Sequence, residues 1–202
     1  MPALPDMPDS VFVEDTAVVL PEFAIITRPG AASRGAEITS VAEALRPHRP
    51  LAFIESPGTL DGGDILHIGS TIYAGESTRT NAEGIRQLAQ LAYSYGYDAQ
   101  PVKVSSCLHL KSAVTAVADD VILLNAAWVE ASSFPGLAQI EVHPREPFAA
   151  NALRIGDNVI YSATHDQTCR RLEEHGISVH IVETDELEKA EGAVTCCSIL
   201  IS

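Results

Sequence analysis

The sequence lacks any apolar run long enough to cross a membrane, and its first residues do not predict a secretory leader. No segment approaches the roughly 18 apolar residues that a transmembrane helix requires. The N-terminus, MPALPDMPDS, has neither a basic start nor an apolar stretch. With 46% hydrophobic and 20% charged residues, the chain is too apolar to be disordered and too irregular to be fibrous. We therefore expect a cytoplasmic protein whose residues 1–202 form one packed domain.

Basic residues are scarce. The chain has 13 lysines and arginines against 27 aspartates and glutamates, which gives a formal net charge of −14. Such a surface repels nucleic acids and anionic membranes, so neither is expected as a partner. An acidic protein of this kind favours a small cation as its ligand.

Cysteine is also infrequent, and its spacing excludes two kinds of site. The four cysteines are Cys107, Cys169, Cys196 and Cys197, and no pair has the C-x-x-C spacing of structural zinc or thioredoxin-like sites. A disulfide framework is not expected in a reducing compartment. Cys107 and Cys169 are read as small buried apolar residues, whereas the adjacent pair includes a candidate reactive thiol.

A repeated order of elements runs along the chain: two short strands, a helix and a third strand. Four copies are predicted over 11–54, 61–104, 109–142 and 149–182. Because the first two strands of each copy are joined by tight turns, they are expected to pair antiparallel. The sequence also has no G-x-G-x-x-G motif or P-loop, so a closed ring of such units is favoured over a Rossmann sheet. The polar residues that introduce the units recur every 40 to 49 positions, at Asp15, Asp64, Lys111, Asn151 and Cys196.

Several element boundaries are predicted from the periodicity. Strands are predicted at Val11 to Leu20 and Lys111 to Val117, and helices over 38–45, 80–95 and 167–175. A fifth unit begins at Thr195 with TCCSILIS and ends after one strand, so the ring is predicted to be incomplete over 195–202. The unpaired strand edges next to this gap predict marginal stability and self-association into a homo-oligomer.

Polar side chains at the start of each unit should point towards the axis of the ring. Taken singly, Glu14 and Asp15 are typical of a solvated strand end, and His109 is typical of a buried core histidine. Their joint recurrence favours a shared pocket. Acids can hold a cation, a thiolate can attack an amidine-like carbon, and an imidazole can move protons. The remaining histidines, and Trp128, are read as structural or surface residues; those histidines are His48, His67, His143, His165, His175 and His180.

Seven segments carry a resemblance to one family. PDSVFVEDTAVV, ITRPGA, GTLDGGDIL, TRTNAEG, HLKS, AAN and KAEGAVTCCS, in this order, resemble the dimethylarginine dimethylaminohydrolases, which belong to the pentein superfamily of guanidino-modifying proteins. The resemblance implies an α/β fold, a five-fold pseudosymmetric propeller whose fifth repeat is incomplete in this chain. It also implies hydrolysis of Nω-methylated arginines to citrulline and a methylamine, with no cofactor and no metal.

The resemblance assigns roles to individual residues. Cys196 corresponds to the nucleophile, His109 to the general acid and base, and Asp61 to a carboxylate that orients the histidine. Cys197 comes next on the same predicted strand and should face the other way. The substrate-binding residues implied by the match are Asp9, Glu14 and Asp15 for the guanidinium, Phe12 for the pocket wall, Arg34 and Arg79 for the α-carboxylate, and the Ala190 carbonyl for the α-amino group.

Two alternatives stay open from the sequence. An arginine deiminase, or another guanidino-modifying pentein, shares the cysteine, the histidine and the paired acids. The second alternative is a truncated, inactive arginine-binding homologue, because family members carry a strand-helix-strand segment and a substrate-covering loop before PDSVFVEDT. Genomic sequence upstream of Met1 would distinguish a short homologue from an incorrectly assigned start.

Overall fold

Four small β-sheets of the same design form the centre of the protein. The computed structural model describes residues 3–201; residues 1, 2 and 202, which the single-domain prediction includes, lie outside that range. Each sheet has three strands. In chain order, the strands are β1 (Ala17–Val19), β2 (Ala24–Ile26), β3 (Leu51–Phe53), β4 (Ile65–Ile68), β5 (Thr71–Glu76), β6 (Asp98–Lys103), β7 (Val114–Ala116), β8 (Val121–Leu124), β9 (Ala138–Glu141), β10 (Leu153–Ile155), β11 (Asn158–Ser162) and β12 (Ser178–Val182).

Every sheet combines one antiparallel and one parallel pair. In the second sheet, for example, β4 runs antiparallel to β5 with Ile65 opposite Ala74, and β6 runs parallel to β5 with Ile72 opposite Ala99. The antiparallel pair closes through a tight turn at Gly69, whose φ of 59° suits glycine. The parallel pair needs a longer crossover, which a helix supplies. The predicted tight hairpins and crossovers are therefore confirmed.

Helices cover the sheets in three of the four units. They are α1 (Ile38–Leu45), α2 (Ala82–Tyr93), α3 (Leu110–Ala113), α4 (Asp166–Glu174) and α5 (Asp185–Glu188). Asn81 caps α2 by accepting a hydrogen bond from the Gly84 N–H at 2.8 Å. Leu88 of α2 is fully buried and packs with Ile25 of the first sheet and Ile72 of the second, so this helix shares one core with both sheets. In the third unit, the crossover contains only a 3-10 turn at Ala131–Ser133.

The strand predicted over Val11 to Leu20 is wrong for its first half. Two 3-10 turns, Pro8–Val11 and Val13–Thr16, precede the short β1. The carbonyls of Asp9 and Phe12 accept hydrogen bonds from the Arg34 side chain, so they are bound by a guanidinium rather than by a neighbouring strand. The same segment therefore curls inward before it enters the sheet.

Two further element predictions need correction. The Lys111 to Val117 segment begins as the short helix α3 and becomes a strand only at Val114. The segment from Thr195 onward forms a turn: the Cys196 N–H donates to the Ala193 carbonyl at 3.2 Å, and the Ser198 N–H donates to the Thr195 carbonyl at 3.0 Å. Among residues 3–201, no strand comes after β12. A turn satisfies these backbone groups locally, whereas a strand would need a neighbour to pair with.

None of the helices within residues 3–201 has the length and apolar character needed to span a bilayer.

Candidate active site

The polar residues that introduce the four units meet one another. The Gly63 N–H donates to Asp15 Oδ1 at 3.1 Å, and the Leu110 N–H donates to Asp64 Oδ1 at 2.9 Å. The Asn151 amide donates to the Lys111 carbonyl at 3.1 Å. Each introducing segment is thus hydrogen-bonded to its neighbour, which brings side chains far apart in sequence to one region of the fold.

A histidine and two carboxylates form the centre of this region. His109 Nε2 lies 3.0 Å from Asp61 Oδ2 and 3.8 Å from Asp15 Oδ1. Asp61 is fully buried, and its other oxygen accepts a hydrogen bond from the Gly30 N–H at 2.8 Å. Asp61 is therefore held on both sides, and it fixes the orientation of the His109 ring.

Burial and charge act in opposite directions on His109. Burial favours the neutral imidazole, but the hydrogen bond to Asp61 and the negative charges of Asp15, Asp64 and Asp61 favour the imidazolium. The combined effect of the three acids is larger than the effect of burial, so the pKa of His109 is raised above its ordinary value. The pKa of Asp64 is also raised, mainly by burial, although His109 and the Ser77 hydroxyl partly offset that effect. His109 is thus suited to carry a proton near neutral pH.

Gly63 allows the close approach of these groups. A Cβ at this position would stand 2.7 Å from Asp15 Oδ1 and 2.8 Å from His109 Nδ1. Any larger residue would therefore push the carboxylate and the imidazole apart. The last glycine of the GTLDGGD motif is explained by this contact.

Arg34 has a position that the sequence reasoning did not anticipate. It is 4% exposed, forms an ion pair with Asp15, and donates to Glu37 Oε2 at 2.8 and 3.1 Å. Its remaining hydrogen bonds go to the Asp9 and Phe12 carbonyls. In this structure Arg34 stabilises the segment that carries Asp15. Its guanidinium is bonded to protein acceptors and is not open to a substrate α-carboxylate.

The other predicted binding residues surround the centre at different depths. Arg79 Nη1 lies 3.9 Å from Asp61 Oδ2, and its side chain is 28% exposed, so it remains accessible. Phe12 is half-buried against Gly192, where a Cβ would stand 2.4 Å from the ring. Asp9 and Ala190 are exposed. The structure thus brings Arg79 into direct proximity with the carboxylates and leaves Asp9 and Ala190 at the periphery.

A second polar network lies beside the first. Glu14 accepts from Lys111 Nζ at 2.6 Å through one oxygen and from the Thr195 hydroxyl at 2.7 Å through the other. Asn151 in turn contacts Thr195 at its hydroxyl and at its backbone N–H. Glu14 is therefore fully engaged within the protein, unlike the exposed acid that a solvated strand end would carry.

Cys196 is adjacent to this network. It is half-buried, its carbonyl accepts from the Glu14 N–H at 3.1 Å, and it lines a cavity of about 480 Å³. Burial, followed by the charges of Glu14 and Asp15, raises the pKa of the Cys196 thiol to about 12 against the opposing effect of Lys111. In the free protein, the thiol is neutral at pH 7, and a cation bound beside it would favour the thiolate.

The cavity also includes residues that the sequence reasoning read as structural. Cys107 is half-buried and lines the cavity, whereas Cys169 is buried as expected. His165 lines it too, and Phe148, another wall residue, packs edge-on against Trp128 at 5.0 Å between ring centres. Trp128 otherwise packs in the core, as expected.

Several site residues were missed from the sequence. Glu37 is buried beside Arg34, and Thr195 is buried beside Glu14. The spacing of Arg34 and Glu37, three positions apart, was a signal for an ion pair. Glu188, which binds the hydroxyls of Ser162, Thr164 and Thr184, is four positions from Thr184 but 26 and 24 positions from Ser162 and Thr164, so most of this cluster left no local signal.

One group of acids and histidine among the described residues has the geometry to hold a metal ion. The ligand atoms of Asp15, Asp61 and His109 lie within 4.8 Å of one another. The same atoms can surround an organic cation, since a guanidinium offers several N–H donors to carboxylate oxygens.

The comparisons with known proteins agree with this geometry. No protein-family profile matches the chain. The N-terminal domain of a cyanobacterial arginine dihydrolase, 20% identical, superposes with a TM-score of 0.88 over 100% of this chain and 78% of that chain, which shows the fold alone. A solved dimethylarginine dimethylaminohydrolase of Pseudomonas aeruginosa complexed with citrulline, 36% identical, superposes with a TM-score of 0.90 over 95% of this chain and 76% of that chain.

The structural neighbours define an α/β protein of the pentein class. In sequence, the chain is 43% identical to the N(G),N(G)-dimethylarginine dimethylaminohydrolase of Streptomyces coelicolor over 196 residues, which is 96% of this chain and 75% of that protein. The chain belongs to the dimethylarginine dimethylaminohydrolase family.

Proposed function

We propose that this protein hydrolyses N(G),N(G)-dimethylarginine, or the monomethyl form, to citrulline and a methylamine. The names of its relatives and the citrulline bound in a related structure support a small arginine derivative as the substrate. The observation that carries the proposal is the contact of His109 Nε2 with two buried carboxylates, Asp61 and Asp15, of which Asp15 also acts by its charge on Cys196.

Substrate binding is governed by the charges. The guanidinium is expected to lie beside Asp15, whose charge acts on Cys196, because charge-assisted hydrogen bonds to carboxylates are stronger than neutral ones. Glu14 contributes negative charge to the same side, although both its oxygens already have partners. Arg79, still partly exposed, is the better placed of the two arginines to bind the α-carboxylate; Phe12 and the Ala190 carbonyl complete the proposed subsite.

The proposed reaction has two halves. In the first, Cys196 loses its proton to solvent once the cationic substrate is bound, and its sulfur forms a bond to the guanidinium carbon; the protonated His109 then gives its proton to the departing dimethylamino nitrogen, whose bond to carbon breaks. This leaves a thiouronium on Cys196. In the second half, His109 takes a proton from water, the hydroxide adds to the same carbon, the carbon–sulfur bond breaks with its electron pair on sulfur, and the new hydroxyl group loses its proton to solvent, which releases citrulline and the Cys196 thiolate. Asp61 holds the ring of His109 throughout both transfers.

The architecture proposed for the chain is the propeller implied by the resemblance. Four sheets with identical strand order and identical pair directions support an arrangement around a common axis, and the meeting of their introducing residues supports a site on that axis. We infer a five-fold pseudosymmetric propeller that acts as a single catalytic domain.

The test is a product analysis. The protein is incubated separately with asymmetric dimethylarginine, monomethylarginine and arginine, and citrulline is measured together with dimethylamine, methylamine or ammonia. We expect equal amounts of citrulline and the methylamine from the methylated substrates and little ammonia from arginine. Faster turnover of arginine would instead identify a deiminase, and binding without citrulline would identify an inactive homologue.

A further inference from the structure

Two buried residues outside the proposed catalytic group connect three of the four units. Asn151 and Thr195 are 6% and 4% exposed, and neither has a role in the substrate chemistry described above. The Asn151 side chain donates to the Lys111 carbonyl at 3.1 Å and to the Thr195 hydroxyl at 2.9 Å, and it accepts from the Thr195 N–H at 3.1 Å. Asn151 therefore uses both its donor group and its acceptor to tie Thr195 to the third unit.

The Thr195 hydroxyl continues the connection. It accepts from Asn151, and its single proton goes to Glu14 Oε2 at 2.7 Å. Glu14 Oε1 accepts from Lys111 Nζ. The result is a closed circuit of hydrogen bonds in which every direction is fixed, because a hydroxyl has one proton and a carboxylate can only accept.

The circuit matters because Thr195 immediately precedes Cys196 in the chain. Cys196 lies in a turn rather than in a strand, so no ladder of backbone hydrogen bonds with a neighbouring strand fixes its orientation. Its backbone is held by the local turn and by the Glu14 N–H, while Thr195 is held by side chains. A displacement of about 1 Å at a reacting atom can reduce a rate by about 100-fold, so a nucleophile in a turn needs such support.

We infer that Asn151 and Thr195 are positioning residues that fix the sulfur of Cys196 relative to Glu14 and the bound guanidinium. This inference rests on the proposed role of Cys196 as the nucleophile. It assigns to the AAN motif, and to the threonine of the TCC motif, a role in the rate of attack rather than in substrate affinity.

The experiment compares Thr195→Val, which removes the hydroxyl at nearly constant shape, with Thr195→Ser, which keeps it. Thr168→Val is the matched control, because Thr168 is also fully buried, donates to Glu146 at 2.7 Å and accepts from the His143 N–H. For each variant, kcat and KM for dimethylarginine are measured. Alkylation of Cys196 by iodoacetamide is measured relative to that of Cys197 by peptide mass spectrometry, which does not depend on turnover.

For Thr195→Val, we expect kcat to fall by about 10-fold or more while KM stays within about twofold, because the hydroxyl does not contact substrate. The Cys196 to Cys197 alkylation ratio should fall by about threefold, since Glu14 loses a donor and its charge then opposes the thiolate more strongly. Thr195→Ser and Thr168→Val should stay within about twofold of the wild type in both measurements.

The inference is overturned if Thr195→Val keeps the wild-type kcat and alkylation ratio, or if only its KM changes. It is also overturned if Thr195→Val and Thr195→Ala both fail to fold while Thr168→Val folds, because the hydroxyl is then simply structural. Failure of the proposed function has a different signature: the wild-type protein would form no citrulline from dimethylarginine, and failure of the nucleophile assignment would show as citrulline formed by Cys196→Ser, whatever the Thr195 variants do.

Discussion

His109 Nε2 lies 3.0 Å from Asp61 Oδ2, although the two residues are 48 positions apart in the chain. This contact links the second unit to the third and is protected from water, since Asp61 is fully buried. It directs one nitrogen of the imidazole towards a fixed acceptor and so selects the orientation of the ring. The contact supports the acid–base role proposed for His109.

The first prediction concerns that role. His109→Asn should reduce kcat by about 100-fold or more with little change in KM, because the amide cannot transfer protons but leaves the carboxylates in place. His48→Asn, at an exposed position, is the control and should be unaffected. Steady-state kinetics on dimethylarginine measures both. A change confined to KM would make His109 a binding residue instead.

The second prediction is a pH dependence. Burial and the charge of Glu14 raise the pKa of Cys196 to about 12, so its alkylation in the free protein should become about tenfold faster per pH unit between pH 7 and 10. A bound cationic arginine analogue that leaves the sulfur accessible should shift this profile to lower pH. Iodoacetamide kinetics monitored at the Cys196 peptide tests both. A plateau below pH 8 without ligand would show that the thiol is already ionised.

The third prediction concerns the guanidinium site. Asp15→Asn should weaken binding of methylarginine by about 2 kcal/mol or more, because a charge facing the cation is lost. Asp119→Asn is the matched control, since Asp119 is 93% exposed and pairs with Arg154 rather than with a residue of the proposed site. Calorimetric titration in a Cys196→Ser background measures affinity without turnover. Equal affinities in the two variants would remove Asp15 from the binding site.

The fourth prediction separates the two arginines. Arg79→Lys should lower the preference for a free α-carboxylate over the α-amide, because lysine cannot reproduce the two-pronged contact of arginine. Arg34→Lys should mainly destabilise the fold, by about 3 kcal/mol, since Arg34 is buried between Asp15 and Glu37. Competition between methylarginine and its α-amide, together with chemical denaturation, tests the pair. If the preference depends on Arg34 alone, the carboxylate site has been assigned to the wrong arginine.

The sequence predicted the repeating units well, because hairpin turns and helix periodicity are local signals. Helix α1 matches its predicted bounds, for instance, and α4 differs from its predicted bounds by one residue at each end. It failed where long-range polar contacts override local propensity. The Arg34 guanidinium donates hydrogen bonds to two carbonyls of a segment whose apolar residues predicted a strand. The segment from Thr195 forms hydrogen bonds between its own backbone groups and does not pair with another strand.

For the site, the sequence identified residue types and the structure added their partners. Only the family resemblance predicted that Asp61 orients His109, and the structure shows the two side chains in contact. Glu37, Thr195 and Asn151 act on other side chains rather than on a ligand, so no motif chemistry singled out what they do. Hydrogen-bond partners separated by 44 positions, as in Asn151 and Thr195, leave no local pattern.

The most direct measurement is citrulline formation from dimethylarginine by Cys196→Ser and Cys197→Ser. A serine hydroxyl is a far weaker nucleophile than a thiolate at neutral pH, so the account predicts that Cys196→Ser forms no measurable citrulline. Cys197→Ser should retain most of the wild-type activity, because the second thiol takes no part in the proposed reaction. Citrulline formation at comparable rates by both variants would contradict the account, because the reaction would then not proceed through Cys196.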